Sequence, residues 1–285
     1  MKFWKILSPL ILQTLPDWRD KFLSYKDLKK QLKRIYPING DQTPSRPSKR
    51  PKVTSEGREI DDDIPKEVNN FICLLEAEID KFNFFFLEKE EEYVIRWKEL
   101  QDRLEEVRHS NEELMRVGRE FVDLHGEMVL LENYSALNYT GLVKILKKYD
   151  KRSGNLIRLP FIQKVLQEPF YMNDTISKLV RQCEVTLDRL FAQNELHHSS
   201  QLVTNTGAAT GSSSGSTSKE KLLFGDEDLS EIEHMENMYM KLTLSALRAL
   251  KEIRSGSSTV NELSLPPLDS SAFEKKTPFV EQATK

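Results

Sequence analysis

The sequence predicts an all-α protein, with an N-terminal helical hairpin packed on a bundle built around two long antiparallel helices. Three observations carry this. Apolar residues recur at three-and-four spacing over most of the chain. Charged residues make up 31% and hydrophobic residues 38%, the balance expected of helices with one wet face. No segment alternates apolar and polar residues in the way a half-buried strand requires. A length of 285 residues allows one or two domains.

The first element is a short helix over residues 2–14, closed by Leu15-Pro16. Lys2 and Lys5 followed by Ile6-Leu7 and Leu10-Ile11-Leu12 have a superficial leader-like pattern. Pro9 and Gln13 interrupt that apolar run, and Pro16-Asp17-Trp18 stands where a small-residue cleavage site belongs. No apolar segment approaches the ~18 residues of a membrane span. A second helix is expected from Asp17 to Tyr36, with Trp18, Leu28, Leu32 and Ile35 as its buried stripe. Its flank carries Tyr25, Lys26, Lys29, Lys30, Lys33 and Arg34, and Tyr25 and Lys29 lie one turn apart.

Residues 37–65 read as a linker rich in Pro, Ser and Asp, with a basic run Arg46-Pro47-Ser48-Lys49-Arg50-Pro51-Lys52 that suits either a nuclear-import signal or a solvated segment. From Glu67 to about Val107, the residues Val68, Phe71, Leu75, Phe82, Phe86, Tyr93, Trp97, Leu100 and Leu104 keep a heptad-like spacing. Such a helix is roughly 60 Å long at about 1.5 Å per residue. After His109-Ser110-Asn111, a matching helix carries Leu114, Val117, Phe121, Leu124, Met128 and Leu131. These aromatic and aliphatic residues are expected to be bundle core.

Asn138-Tyr139-Thr140-Gly141 interrupts the periodicity and offers Asn138 or Thr140 as an N-cap for a further, basic helix that stops at Ser153-Gly154. Helices over 160–167 and from Asn173-Asp174 follow, the latter with Ile176, Leu179, Val180, Cys183, Leu187 and Leu190 inward. The expected organisation is a domain over 1–167, an additional bundle helix over 168–191, a Ser/Thr/Gly-rich linker over 192–225, an amphipathic helix over 226–254 and a disordered tail over 255–285. The helix over 226–254 begins with the capping box Ser230-Glu231-Ile232-Glu233. Ile232, Met235, Tyr239, Leu242, Ala246, Leu250 and Ile253 then repeat at heptad spacing. Beyond a linker, such a stripe folds back on the bundle, self-associates or meets a partner helix, because an isolated helix cannot bury it.

The chemistry concentrates in the basic helix. Lys144, Lys147, Lys148 and Lys151 fall at i, i+3, i+4 and i+7, opposite Leu142, Ile145, Leu146 and Tyr149. Like charges at i,i+4 repel by a few tenths of a kcal/mol per pair, roughly. A row kept without interleaved acids is either a solvated face or a site for a polyanion. The net charge of −3 argues against a wholesale nucleic-acid binder, so an anion site must be a local concentration of charge. The alternative reading is a structural coiled-coil adaptor whose basic helix is solvated or touches nucleic acid. Cys73 and Cys183 show no metal or redox spacing and read as reduced core thiols. The five histidines form no ligand set, and no phosphate loop or nucleophile elbow is present, so no enzyme, metal or cofactor is expected.

Several stretches resemble the SPX domain family. They are Met1-Lys2-Phe3, then Leu15-Pro16-Asp17-Trp18-Arg19-Asp20-Lys21-Phe22-Leu23-Ser24-Tyr25-Lys26, Asn133-Tyr134-Ser135-Ala136-Leu137-Asn138-Tyr139-Thr140-Gly141, and the run Lys144–Lys151. The resemblance covers about residues 1–167. The remainder, down to Lys251-Glu252-Ile253-Arg254-Ser255-Gly256, is similar to the short stand-alone SPX proteins of plants. The resemblance implies a regulator without catalysis, in which the domain binds inositol polyphosphates and inositol pyrophosphates act as the phosphate signal. It implies that Tyr25, Lys29 and Lys148 form the core of the ligand site, that Lys144, Lys147 and Lys151 form an adjoining lysine surface, and that Lys2 contributes from the N-terminus. Trp4 departs from the small glycine usual in the family, and its indole could crowd the ligand or reposition the first helix. The implied partner is a phosphate-starvation MYB transcription factor that carries a coiled coil, held by the liganded protein. The implied location is the nucleus and also the cytoplasm, without direct nucleic-acid or membrane binding.

Overall fold

The computed structural model describes residues 3–36, 66–107, 111–154, 156–204 and 226–255. All regular structure among them is helical: α1 (Phe3–Gln13), a 3-10 helix (Pro16–Lys21), α2 (Tyr25–Ile35), α3 (Lys66–Glu106), α4 (Asn111–Ser153), α5 (Arg158–Val165), α6 (Asp174–Thr204) and α7 (Asp226–Ser255). The all-α expectation holds. The Arg46–Lys52 run, Lys2 and the tail beyond Ser255 lie outside the described residues.

The long pair α3 and α4 runs antiparallel, as its side-chain partners show. Phe71 stacks on Tyr149 with ring centroids 5.3 Å apart, Phe82 meets Tyr134 edge-on, Trp97 meets Phe121, and Arg103 reaches Glu120 through two bonds of 2.6 and 2.7 Å. Numbers climb on one helix as they fall on the other. Predicted core residues Val68, Phe71, Leu75, Phe82, Phe86, Tyr93 and Leu100 are buried, as are Val117, Phe121, Leu124, Met128 and Leu131. Helix α6 lies antiparallel to α4, with Ser177 donating to Glu132 and the Cys183 thiol to the Phe121 carbonyl. Helix α4 touches every other α-helix and is the axis of the molecule.

Helix α7 packs in cis, parallel to α4. Arg119 pairs with Glu231 at 2.7 Å, the Tyr239 hydroxyl donates to Asp123 at 2.6 Å, and Lys144 reaches the Ile253 carbonyl at 3.4 Å. Ile232, Tyr239, Ala246, Leu250 and Ile253 are buried by this contact and by α1, which Ser245 reaches through Gln13. Gly126 makes the close approach possible, because a Cβ there would overlap the Tyr239 ring. Of the three fates open to the heptad stripe, the structure takes folding back.

Four expectations are corrected. First, residues 17–36 are not one helix: the 3-10 turn holding Trp18 is separated from α2 by an extended Phe22. Side chains from distant helices satisfy the backbone at this break. Leu23 N–H donates to Asn138 Oδ1 at 2.9 Å, Ser24 N–H to Glu78, and the Phe22 carbonyl accepts from Lys81. Second, α4 passes through 138–141 without interruption. The polar residues there do not cap. Asn138 Nδ2 and Thr140 Oγ1 bond back to the Tyr134 and Ala136 carbonyls, and Gly141 admits the Leu23 side chain. Third, α6 continues to Thr204, into the stretch expected as linker from 192. Residues 192–204 contain neither Gly nor Pro to stop it, and the Gly/Ser/Thr-dense composition starts only at Thr206-Gly207. Fourth, only Cys183 is a core thiol. Cys73 is exposed, since it faces away from the Phe71–Leu75 edge of α3. The expected stop at Gly154 holds, with φ at +76° and its N–H on the Asp150 carbonyl.

The role of Asn138 can be measured. Asn138→Ala leaves the buried Leu23 N–H without an acceptor, at a cost of about 1–3 kcal/mol. A urea titration should show the midpoint falling with an unchanged slope. A midpoint equal to that of the parent protein would mean that water serves this N–H.

Candidate functional site

The site is built where α2 crosses the C-terminal half of α4. Leu28 and Leu32 bury one side of α2, while Leu142, Ile145, Leu146 and Tyr149 bury one side of α4. The amphipathic pattern of each helix therefore turns its lysines to the shared outer crevice. Arg152 ties the two together, with its Nη1 3.4 Å from both the Leu32 and the Tyr36 carbonyls. The Tyr36 ring meets Tyr149 edge-on beneath it.

Lys148 is the centre of the cluster. It is half-buried, and its pKa is lowered first by that burial and then by Lys29, Arg152 and Lys33. Among the described residues, the side-chain charges that shift it are all cations. Lys29, Lys148 and Lys151 make no ion pair with any described residue. Lys144 is also half-buried, with its pKa lowered by burial and then by Lys147, and its ammonium rests on the C-terminal turn of α7. Lys147 is half-buried and Lys151 exposed.

Tyr25 forms the floor at the N-terminal end of α2. Its ring packs on Phe3 at 4.8 Å, and burial raises its pKa. The phenol therefore stays protonated and can donate to a phosphate oxygen. On the next residue, the Lys26 ammonium sits 4.7 Å above the Trp4 ring, a cation–π contact that gives the bulky residue a role at the α1–α2 junction. Lys2 lies outside the described residues, so the predicted N-terminal contribution has no geometry here.

The structure thus sets Lys29 near enough to Lys148 to lower its pKa, puts Tyr25 on the same helix one turn from Lys29, and strings Lys144, Lys147 and Lys151 along α4 beside them. Two further cations went unassigned in the sequence reading, Lys33 and Arg152. Each lies one turn beyond an assigned residue, at i+4 from Lys29 and from Lys148, so extending both rows by a turn would have found them. A surface of ammonium and guanidinium groups, in which Lys29, Lys148 and Lys151 pair with no carboxylate among the described residues, is equipped to hold a polyanion through charge-assisted bonds. Among the described residues, no group of three or more His, Cys, Asp and Glu could hold a metal ion, and no helix is long and apolar enough to cross a membrane.

Comparison with known proteins agrees with this architecture. The family profile of the SPX domain matches residues 115–165, the part of α4 and α5 that includes the lysine row. The chain is 54% identical to SPX domain-containing protein 2 of Arabidopsis thaliana and 58% identical to SPX domain-containing protein 1 of Oryza sativa subsp. japonica, each alignment covering 100% of both chains. Among solved structures, the SPX domain of Chaetomium thermophilum glycerophosphodiester phosphodiesterase 1, in complex with inositol hexakisphosphate, superposes with a TM-score of 0.51 at 22% identity. That match covers 67% of this chain and 99% of the other, and at this identity it speaks to the fold alone. Full-length similarity at more than half identity is decisive for kinship: the chain belongs to the family of SPX domain-containing proteins.

Proposed function

We propose that this protein is a sensor of cellular phosphate status that binds inositol polyphosphates, with inositol pyrophosphates as the physiological signal. The ligand sits in the crevice between α2 and the C-terminal half of α4. Lys29, Lys148 and Tyr25 hold its core phosphates, and Lys144, Lys147 and Lys151 serve the outer ones. The observation that carries this reading is the environment of Lys148, which has Lys29, Lys33 and Arg152 around it and no ion pair with any described residue. Lysines suit a ring bearing phosphates at several positions, because an ammonium is a mobile point charge without the fixed fork of a guanidinium. The inositol hexakisphosphate held by the fungal SPX domain supports the ligand class.

In the liganded state the protein captures and inhibits a phosphate-starvation MYB transcription factor through its coiled coil, acting in the nucleus and also in the cytoplasm. Kinship with plant stand-alone SPX proteins supports this role. The heptad stripe of α7 is occupied by α4 and α1, so the captured helix must use another face or displace α7. A pull-down of a MYB coiled-coil factor with and without an inositol pyrophosphate tests the proposal. Capture that rises with ligand is the expected result, and equal capture in both conditions would refute ligand gating.

A further inference from the structure

Helix α3 has a second apolar seam, on the side away from α4. Phe84 is 73% exposed, Ile95 51%, Leu87 46% and Val94 42%. The exposed positions 84, 87, 91, 94 and 98 follow three-and-four spacing over four turns, the repeat by which one helix packs along another. The inward face of the same helix is already filled by Phe82, Phe86 and Tyr93 against the bundle. Water-exposed apolar side chains aligned along a straight helix form a patch, whereas scattered single residues would need no account.

The charges along this seam choose the occupant. Glu88 and Glu91 are exposed within it and make no ion pair with any described residue, while neighbouring Glu92 is taken by Lys89 and Arg96. The one base on the seam is Lys98. A second copy of the chain is a poor fit. In parallel register Glu88 and Glu91 meet their own counterparts, in an antiparallel register centred on Glu91 that residue still faces itself, and the antiparallel register that sets Glu91 against Lys98 leaves Phe84 and Leu87 opposite Glu105 and Asp102, all of which disfavour the contact. The chain's own amphipathic helix α7 is spent on α4. What remains complementary is a helix of a different protein, with an apolar stripe flanked by Lys and Arg.

We infer that the outer face of α3, centred on Phe84, Leu87, Glu91 and Ile95, is a docking surface for a basic amphipathic helix of a partner protein. The partner's apolar stripe covers Phe84, Leu87, Val94 and Ile95, and its flanking bases meet Glu88 and Glu91, in the manner of helix-on-helix recognition. The inference stands apart from the anion-site reading, since no residue of the lysine cluster lies on α3.

The test uses the full chain and two synthetic helical peptides of the same apolar heptads, one flanked by Lys and Arg, the other by Glu, with affinity read by fluorescence anisotropy. The basic peptide is expected to bind, and the acidic one at least about tenfold more weakly, given the sensitivity of interfaces to opposed charge. Phe84→Ser with Ile95→Ser should weaken the basic peptide by about tenfold or more, because aromatic and aliphatic anchors dominate such contacts. Glu88→Lys with Glu91→Lys should reverse the preference between peptides. All these positions are exposed, so melting temperatures should hold, and hydrogen exchange should slow over 84–98 on binding. Lys148→Ala should bind the basic peptide as the parent does, which separates this surface from the anion site. Equal affinity for both peptides, or binding that survives Phe84→Ser with Ile95→Ser, would overturn the inference. So would a dimer in sedimentation that the same double substitution dissolves, since the occupant would then be a second copy.

Discussion

Lys148→Ala is expected to lower the affinity for an inositol pyrophosphate by about 10- to 100-fold in a calorimetric titration. One charge-assisted bond to phosphate contributes about 1.5–3 kcal/mol, and about 1.4 kcal/mol corresponds to a factor of ten. The same substitution should leave the ligand-free fold no less stable. Burial, then Lys29, Arg152 and Lys33, hold the folded pKa of Lys148 below its ordinary value of 10.5. The unfolded chain therefore keeps this proton more tightly than the folded one. The charge opposes folding at every pH below the folded pKa, and that opposition fades as pH rises from there toward 10.5. Removing the ammonium takes away the opposition, so the unliganded melting temperature should hold or rise while binding collapses. Two results would contradict this: a fall in both quantities, which would make Lys148 a structural residue, or parent and variant binding with equal, weak, salt-sensitive affinity.

The second large effect is expected at Gly126, and a neighbouring glycine supplies the contrast. A methyl group at Gly126 collides with the Tyr239 ring at its root, where the side chain cannot swing clear, and endangers the hydroxyl bond to Asp123. Overpacking of this kind costs about 1–3 kcal/mol, and the bond to a charged acceptor a further 1.5–3 kcal/mol, roughly, if it breaks. Alanine's better helix propensity returns only about 1 kcal/mol. Gly126→Ala should therefore lower the melting temperature, by roughly 2–4 °C per kcal/mol lost, and speed hydrogen exchange across α7. At Gly118, two turns earlier in α4, an added Cβ meets nothing within 4 Å. There the propensity term stands alone, and Gly118→Ala should stabilise by about 0.5–1 kcal/mol. A Gly126→Ala variant as stable as Gly118→Ala would mean that α7 is not seated against α4 in solution.

The long helices were legible because their apolar spacing is sustained over many turns, and the same regularity made Phe71, Phe82 and Phe121 recognisable as core. What escaped the reading is set by contacts between residues far apart in sequence. The break before α2 depends on Asn138, Glu78 and Lys81 taking over the backbone of Phe22–Ser24, and nothing within residues 17–36 announces it. Conversely, Asn138 and Thr140 have the chemistry of helix caps, yet inside α4 they bond to carbonyls one turn back while Asn138 reaches across to the break. Local propensity was correct for the residue types and wrong for their use. The stripe of α7 shows the same limit. Heptad spacing reveals that a helix needs a neighbour, and only the notch at Gly126 tells which one.

The lysine crevice has one more property, which follows from the direction of the helices around it. Helix α2 ends there, its last carbonyls turned to Arg152; α7 ends there, with the Ile253 carbonyl on Lys144; and α4 itself ends at Ser153 just past Lys151. Anion sites usually exploit the positive ends of helix dipoles, whereas negative ends bound this one on both margins, those of α2 and α4 by Arg152 and that of α7 by Lys144, each equivalent to roughly half an elementary charge. Those partial charges ease the lysine cluster in the absence of ligand without forming the ion pair that a carboxylate would make with Lys29, Lys148 or Lys151. The protein can thus store a dense positive charge at tolerable cost and still release it wholly to an arriving polyphosphate.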